Sequence, residues 1–198
     1  DEDPKKLYLK DLEEYGISII NLNGIYFRHF MTLFKGYKVN DDKTISPTDY
    51  IPIKCAGLTD NDPETTDKPY IGNLSVGKNS QLYLVQELIT NSKLCRLFSN
   101  LKTFEYDLAL EGNNLVVMSQ VQLSLTTTNG PIKTQLEGYI KIDWTKKTPQ
   151  EKADAAFWLL NHIDKGEFAQ RLSQKLSEIG TVFIVPQYIM DAFKWLVD

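Results

Sequence analysis

Apolar residues recur at helical spacing in two capped segments of the last third of the chain. Thr148-Pro149-Gln150-Glu151 combines an N-cap threonine, a proline at the first helical position and a glutamate three residues past the cap. It predicts a helix carrying Ala155, Phe157, Trp158 and Leu159. Asp164-Lys165-Gly166-Glu167 repeats the device with an aspartate cap and launches a stripe of Phe168, Leu172, Leu176 and Ile179, which Gly180 ends. Val182 to Val185 is strand-like. Pro186 then precedes a final helix with Ile189, Phe193 and Trp195.

Earlier in the chain, Asp3 as N-cap, Pro4 at the first helical position and Leu7, Tyr8, Leu12 and Tyr15 on one face predict a helix stopped by Gly16. Ile17 to Leu22 reads as a strand, and Asn23-Gly24 turns it into an apolar-aromatic helix through Phe27, Phe30, Met31 and Phe34. A polar stretch from Lys38 to Asp49 leads to Tyr50–Leu58, a run of the kind expected inside a parallel sheet. A long loop, Pro63 to about Lys78, is expected to be functional or mobile. Gln81–Ile89 predicts a helix, Leu94–Phe98 a strand, and Thr103–Leu108 places Glu105 near a strand-to-helix junction. Residues 114–128 fit a helix through Leu115, Met118, Val121 and Leu125, or a strand through Val121, Leu123 and Leu125; the helix is preferred. Asn129-Gly130-Pro131 breaks it. The alternation of elements predicts one α/β domain over residues 1–198, with a mostly parallel sheet flanked by helices.

The segment Leu58-Thr59-Asp60-Asn61-Asp62-Pro63 puts two carboxylates two residues apart where the apolar run ends. Side chains alternate along an extended chain, so Asp60 and Asp62 are expected to point the same way, and Pro63 disfavours a helical Asp62. Converging carboxylates repel unless a cation separates them. The alternative is an Asp/Asn/Pro turn. If the strands before Asp60 and Glu105 are parallel neighbours, all three carboxylates can meet, offering hard oxygen ligands to Mg²⁺ or Mn²⁺ in a two-metal site. Lys165 could neutralise charge on phosphoryl oxygens. Glu105 can equally be read as a first-turn acid favoured by the helix dipole, and Lys165 as a solvated surface lysine.

Composition narrows the class. A chain of 198 residues with 42% hydrophobic and 24% charged residues is ordinary for a globular protein, and no apolar run approaches the ~18 residues of a membrane span. The net charge of −4 argues against a grip on nucleic acid through bulk electrostatics, but not against a carboxylate-built nuclease. Cys55 and Cys95 are most simply reduced core thiols of a cytoplasmic protein. Gly72 to Asn79 matches the spacing of a phosphate-binding loop up to Lys78, yet Asn79 stands where a Ser or Thr hydroxyl is needed and no buried strand precedes it. His29 and His162 have no Cys or His partner at metal spacing.

The order of segments resembles the Toprim domain at the carboxyl end of OLD-family (overcoming lysogenization defect) nucleases. The matching stretches are Leu12 to Gly24 with Phe27 and Phe30, Leu58 to Pro63, Lys102 to Ala109, Lys165 to Leu172, and Val185 to Ile189. The resemblance implies a metal-dependent DNA endonuclease module, normally joined to an ABC-type ATPase domain in the same or an associated chain, assembled as a homo-oligomer and serving in phage defence. By motif, Asp60 and Asp62 look like the family's metal-ligating pair, and Thr103 with Glu105 like its SxE position. Lys165 looks like its catalytic lysine, and Gly24 resembles the glycine that lets the backbone approach the metal. Toprim domains of this family begin with a strand ending in an ExxxE motif. Asp1-Glu2-Asp3-Pro4 has no such strand before it, and Glu13 and Glu14 are not that glutamate. The chain is therefore expected to be a fragment, with the Mg²⁺ or Mn²⁺ site completed by acidic residues outside it and little activity alone.

Two rival expectations stand beside the nuclease. A catalytically degenerate Toprim module would act in binding or assembly. A receiver-like domain, which also clusters aspartates and a lysine at strand ends, would carry a labile phosphoryl group on an aspartate.

Overall fold

The computed structural model describes residues 11–22, 27–127 and 129–198. The expected first helix falls largely outside them, as do its Asp3 cap and the Asn23-Gly24 turn. The chain forms two compact units, one of Asp1–Thr59, Ser80–Phe98 and Tyr188–Asp198, the other of Asp60–Asn79 and Ser99–Gln187. Both are α/β or helical assemblies of ordinary elements, and the α/β class holds.

The first unit contains helix α1 (Phe27–Thr32), an antiparallel pair β1 (Tyr37–Val39) and β2 (Ile45–Pro47), and a parallel pair β3 (Cys55–Thr59) and β4 (Cys95–Ser99). Helix α2 (Ser80–Ile89) connects β3 to β4 as the crossover that parallel strands require. The backbone N–H of Cys55 donates to the Leu94 carbonyl at 2.7 Å, which sets the parallel register. Met31, Phe34, Val85, Ile89 and Cys95 make the core, with Phe27, Phe30 and Leu97 packed against it. Gly57 lets two side chains close over the strand, since a Cβ would stand 2.7 Å from Leu97 Cδ1 and 2.8 Å from Phe27 Cε1 and both would have to shift. Helix α8 (Gln187–Val197) is held by Lys54, whose Nζ donates to the Trp195 carbonyl at 2.9 Å.

The second unit is mainly helical: α3 (Phe104–Leu110), α4 (Asn114–Leu125), α5 (Pro131–Ile140), α6 (Pro149–Leu160) and α7 (Lys165–Leu176). Helix α4 is central and packs on α3, α5, α6 and α7. Tyr106, Leu115, Met118, Leu136, Leu159 and Phe168 are buried in one core. The predicted caps are present. Thr148 and Glu151 form a reciprocal capping box on α6, and Asp164 accepts from the Gly166 N–H at the start of α7.

Several expectations are corrected. The mostly parallel sheet is, among the described residues, two separate two-stranded pairs, one of them antiparallel. The strand read over Tyr50–Leu58 is confined to Cys55–Thr59, and of its residues only Gly57 is buried. Ile17–Leu22 takes no regular structure, and Ile19 and Ile20 are exposed. Val182–Val185 is not a strand, because the buried side chain of Asn114 supplies the partner a neighbouring strand would. Its Oδ1 accepts from the Ile184 N–H at 2.8 Å and its Nδ2 donates to the Ile184 carbonyl at 2.7 Å. The polar stretch 38–49 forms the β1–β2 pair, with Lys43 at φ 65 in the turn. Among the described residues no helix is long and apolar enough to cross a membrane.

Candidate metal centre

Asp60 and Asn100 are the first residues past the carboxyl ends of β3 and β4, and both belong to the second unit. The side-chain amide of Asn100 joins them. Its Nδ2 donates to Asp60 Oδ1, while its Oδ1 accepts from the backbone N–H of Asn61 at 3.0 Å. The contact continues residue by residue. Asn61 Nδ2 donates to the Leu101 carbonyl at 3.4 Å, and the Asp62 N–H donates to the Lys102 carbonyl at 3.2 Å. Lys102, only 5% exposed, turns its Nζ to the carbonyls of Glu64 and Thr65 at 2.9 and 3.1 Å.

Residues 100–102 thus act as a template for the acidic loop, and the template is itself held from below. Asp107 in α3 accepts the Leu101 N–H on Oδ1 at 2.8 Å and the Lys102 N–H on Oδ2 at 3.0 Å. On the other side of the loop, the Lys78 N–H donates to the Asp62 carbonyl at 3.0 Å and Asn79 Nδ2 to the Asp60 carbonyl at 2.8 Å. Lys78 pairs with Glu64. The lysine of the phosphate-loop spacing is therefore an arm that braces the aspartate segment. Tyr106 Oη donates to the Pro69 carbonyl at 2.9 Å, a further anchor near the middle of the loop expected to be functional or mobile.

Asp62 does not stay extended. Its φ is 44, in the left-handed region that aspartate tolerates better than most residues. The strand alternation argument for Asp60 and Asp62 therefore fails at the second residue. Helix α3 places Glu105 in its first turn, and Thr103 caps it by accepting the Tyr106 N–H on its hydroxyl at 3.4 Å. Lys165, the first residue of α7, donates from Nζ to Glu105 Oε2 at 3.1 Å.

The four expected charged residues share one electrostatic neighbourhood. Burial pushes the Asp60 carboxyl above its usual range; the Asn100 hydrogen bond works against this, the charges of Asp62 and Glu105 raise it further, and Lys165 lowers it. Burial likewise pushes Asp107 up to about 6, against the pull of its two backbone hydrogen bonds. Among the described residues, however, no group of three or more His, Cys, Asp or Glu side chains converges closely enough to hold a metal ion. The donors suit a hard divalent cation in kind, since Asp60, Asp62 and Glu105 all offer carboxylate oxygens. Asp60 accepts the Asn100 amide on Oδ1, and Glu105 accepts the Lys165 ammonium on Oε2.

Sequence reasoning singles out Asp60, Asp62, Thr103, Glu105 and Lys165 as candidates and passes over Asn100, Lys102 and Asp107, whose hydrogen bonds hold the aspartate segment. A polar residue directly after a strand is the available signal for Asn100, and it is the same signal that singles out Asp60. Cys55 and Cys95 are free thiols, with Cys55 pushed up to about 11 by burial. His162 stacks on Trp158 with ring centroids 4.1 Å apart and hydrogen-bonds the Trp158 carbonyl, a packing role. Set against protein-family models, curated proteins and solved structures, the chain matches none of them.

Proposed function

We propose that the chain is the catalytic Toprim portion of an OLD-family nuclease, hydrolysing DNA phosphodiesters with Mg²⁺ or Mn²⁺. The observation that carries the reading is the shared neighbourhood of Asp60, Asp62, Glu105 and Lys165, drawn from three separate segments, with Lys165 Nζ 3.1 Å from Glu105 Oε2. Asp60, Asp62 and Glu105 would supply carboxylate oxygens to a cation site completed by further acidic residues, and Thr103 would orient Glu105 through the cap it gives α3. A bound divalent ion supplies Lewis-acid polarisation of the scissile phosphate. Lys165 is more than half exposed, so its ammonium can move from Glu105 to a phosphoryl oxygen and neutralise developing charge. In this reading the module works with an ABC-type ATPase, within its parent chain or an associated one, as a homo-oligomer in cytoplasmic defence against phage. The test is nicking of supercoiled plasmid in Mn²⁺ by the complete protein as wild type and with Asp60→Asn or Lys165→Ala. Cleavage by the wild type and none by either variant supports the reading; equal cleavage by all three overturns it.

The lack of a three-donor group among the described residues favours a second reading, a Toprim module that has lost catalysis and serves binding or assembly. That module would retain DNA or its partner in all three proteins and cleave with none.

A further inference from the structure

The run from Ile179 to Gln187 carries no charge, and the buried Asn114 side chain fastens one residue of it. A residue turns its N–H and its C=O to the same side only where its backbone is extended, so the paired bonds from Asn114 define Ile184 as an extended residue with one edge satisfied. Its neighbours in an extended chain direct their polar groups to the opposite edge. Phe183 and Val185 therefore offer theirs away from Asn114, and among the described residues neither N–H makes a backbone hydrogen bond. Pro186 keeps Val185 out of the helical region. The side chains divide accordingly. Phe183 packs against the core of the unit, whereas Val182, 80% exposed, and Ile184, 45% exposed, line a groove with Val116, Val117 and Ile179.

An open, apolar edge is a template for another strand, and edges left in water are blunted by charges or prolines. Between Gly180 and Val185 there is neither. We propose that this edge is covered by the same segment of a second copy of the chain, running antiparallel about a twofold axis at Ile184. The open groups set the register. With Ile184 opposite its own mate as a non-hydrogen-bonded pair, Phe183 of each copy exchanges both bonds with Val185 of the other, and each Ile184 keeps its bonds to Asn114. Pro186, which lacks an N–H, ends the pairing. Symmetric pairing sets each residue near its own kind, which like charges would oppose; this run has none, and its β-branched residues suit a strand. The surface is independent of the acidic site, so its failure leaves the metal-dependent reading untouched.

The experiment is sedimentation velocity of the full chain over a range of concentrations, as wild type and Val185→Pro, together with diamide oxidation of Ile184→Cys and Val182→Cys. The wild type serves as the oxidation control for the free thiols of Cys55 and Cys95. The expected result is a concentration-dependent dimer, weakened or abolished in Val185→Pro, which removes an N–H the pairing uses and leaves Asn114 untouched. Position 184 should be trapped as a disulfide dimer, because the paired Cα atoms stand about 4.5 Å apart, inside the disulfide range of about 4.4–6.8 Å. Position 182 should not, since the register sets it roughly 13 Å along the strand from its mate. A wild type that stays monomeric gives the edge to another partner and overturns the proposal. A dimer that folded Val185→Pro leaves unchanged, or that position 184 fails to trap, also overturns it. Should Val185→Pro not fold, the two cysteine variants decide.

Discussion

Lys165 Nζ donates to Glu105 Oε2 at 3.1 Å across sixty residues of sequence, each residue standing in the first turn of its own helix. The placement of the lysine is costly in isolation, since a cation at a helix N-terminus opposes the dipole by roughly 0.3–1 kcal/mol. Glu105 offsets part of this, but the lysine is more than half exposed, and pairs of that kind contribute about 0.2–1 kcal/mol at most. The two effects nearly cancel, so stability does not account for a lysine at this position.

Lys165→Ala is therefore expected to leave the melting temperature within about 3 °C of the wild type, because the net change is under about 1 kcal/mol. Cleavage by the same variant should fall by about a hundredfold or more, the usual loss when a charge-stabilising donor is removed. Differential scanning fluorimetry alongside plasmid nicking checks both. A large loss of stability would make the lysine a structural residue.

Asp107 makes the stability of the protein pH-dependent in a definite direction. Its carboxyl is raised to about 6 in the folded state, so the folded protein holds that proton more tightly than the unfolded chain. Its stabilising contribution is fully present below the ordinary carboxylate pKa and is lost as pH rises through about 6. The stability gap between the wild type and Asp107→Asn, read by urea denaturation from about pH 4.5 to about 7.5, should shift against the wild type by about 2 kcal/mol as pH rises. A gap independent of pH would mean that Asp107 is ionised throughout.

Gly77 lies so close to the acidic loop that a Cβ would collide with Asn61 Oδ1 and stand 2.8 Å from the Asn61 carbonyl oxygen. Gly77→Ala must displace the braces on Asp60 and Asp62 and is expected to cost about 1–3 kcal/mol. Gly138→Ala, where the added Cβ meets nothing within 4 Å on α5, should stabilise by up to about 1 kcal/mol. Equal melting temperatures for these two variants would contradict the packing described.

Thr103 separates capping from ligation. Thr103→Ser retains a hydroxyl to accept the Tyr106 N–H, whereas Thr103→Val removes it at constant shape and should cost about 1 kcal/mol. If the hydroxyl acts only through the cap, both variants bind Mn²⁺ in proportion to their folded fraction; weaker binding by fully folded Thr103→Val assigns it a ligand role.

The helices α6, α7 and α8 can be read from the chain because their signals are local: a cap, a proline, an apolar stripe. What escapes depends on partners far away in sequence. Reasoning from apolar runs alone fails at Val182–Val185, where one buried asparagine on α4 takes the hydrogen bonds a strand would have made. Helix α5 escapes because Gly130-Pro131 reads as a break, although proline at a first helical position also starts helices. Charges between Tyr37 and Pro47 hide a short antiparallel pair. Among the candidate site residues, the placement of Asp60, Glu105 and Lys165 at element ends is legible in the chain. Asp62 is singled out for a reason that does not hold, since its backbone turns left-handed. Lys102 and Asp107 are beyond reach, because their work is done on backbone groups that no sequence pattern marks.

The most direct test of the central claim is calorimetric titration of the chain with Mn²⁺, repeated with Asp60→Asn and Glu105→Gln. The account predicts saturable binding by the wild type, weakened by at least about tenfold in each variant, as expected when a carboxylate ligand is lost. Binding of equal strength in all three proteins, or none in the wild type, would contradict it.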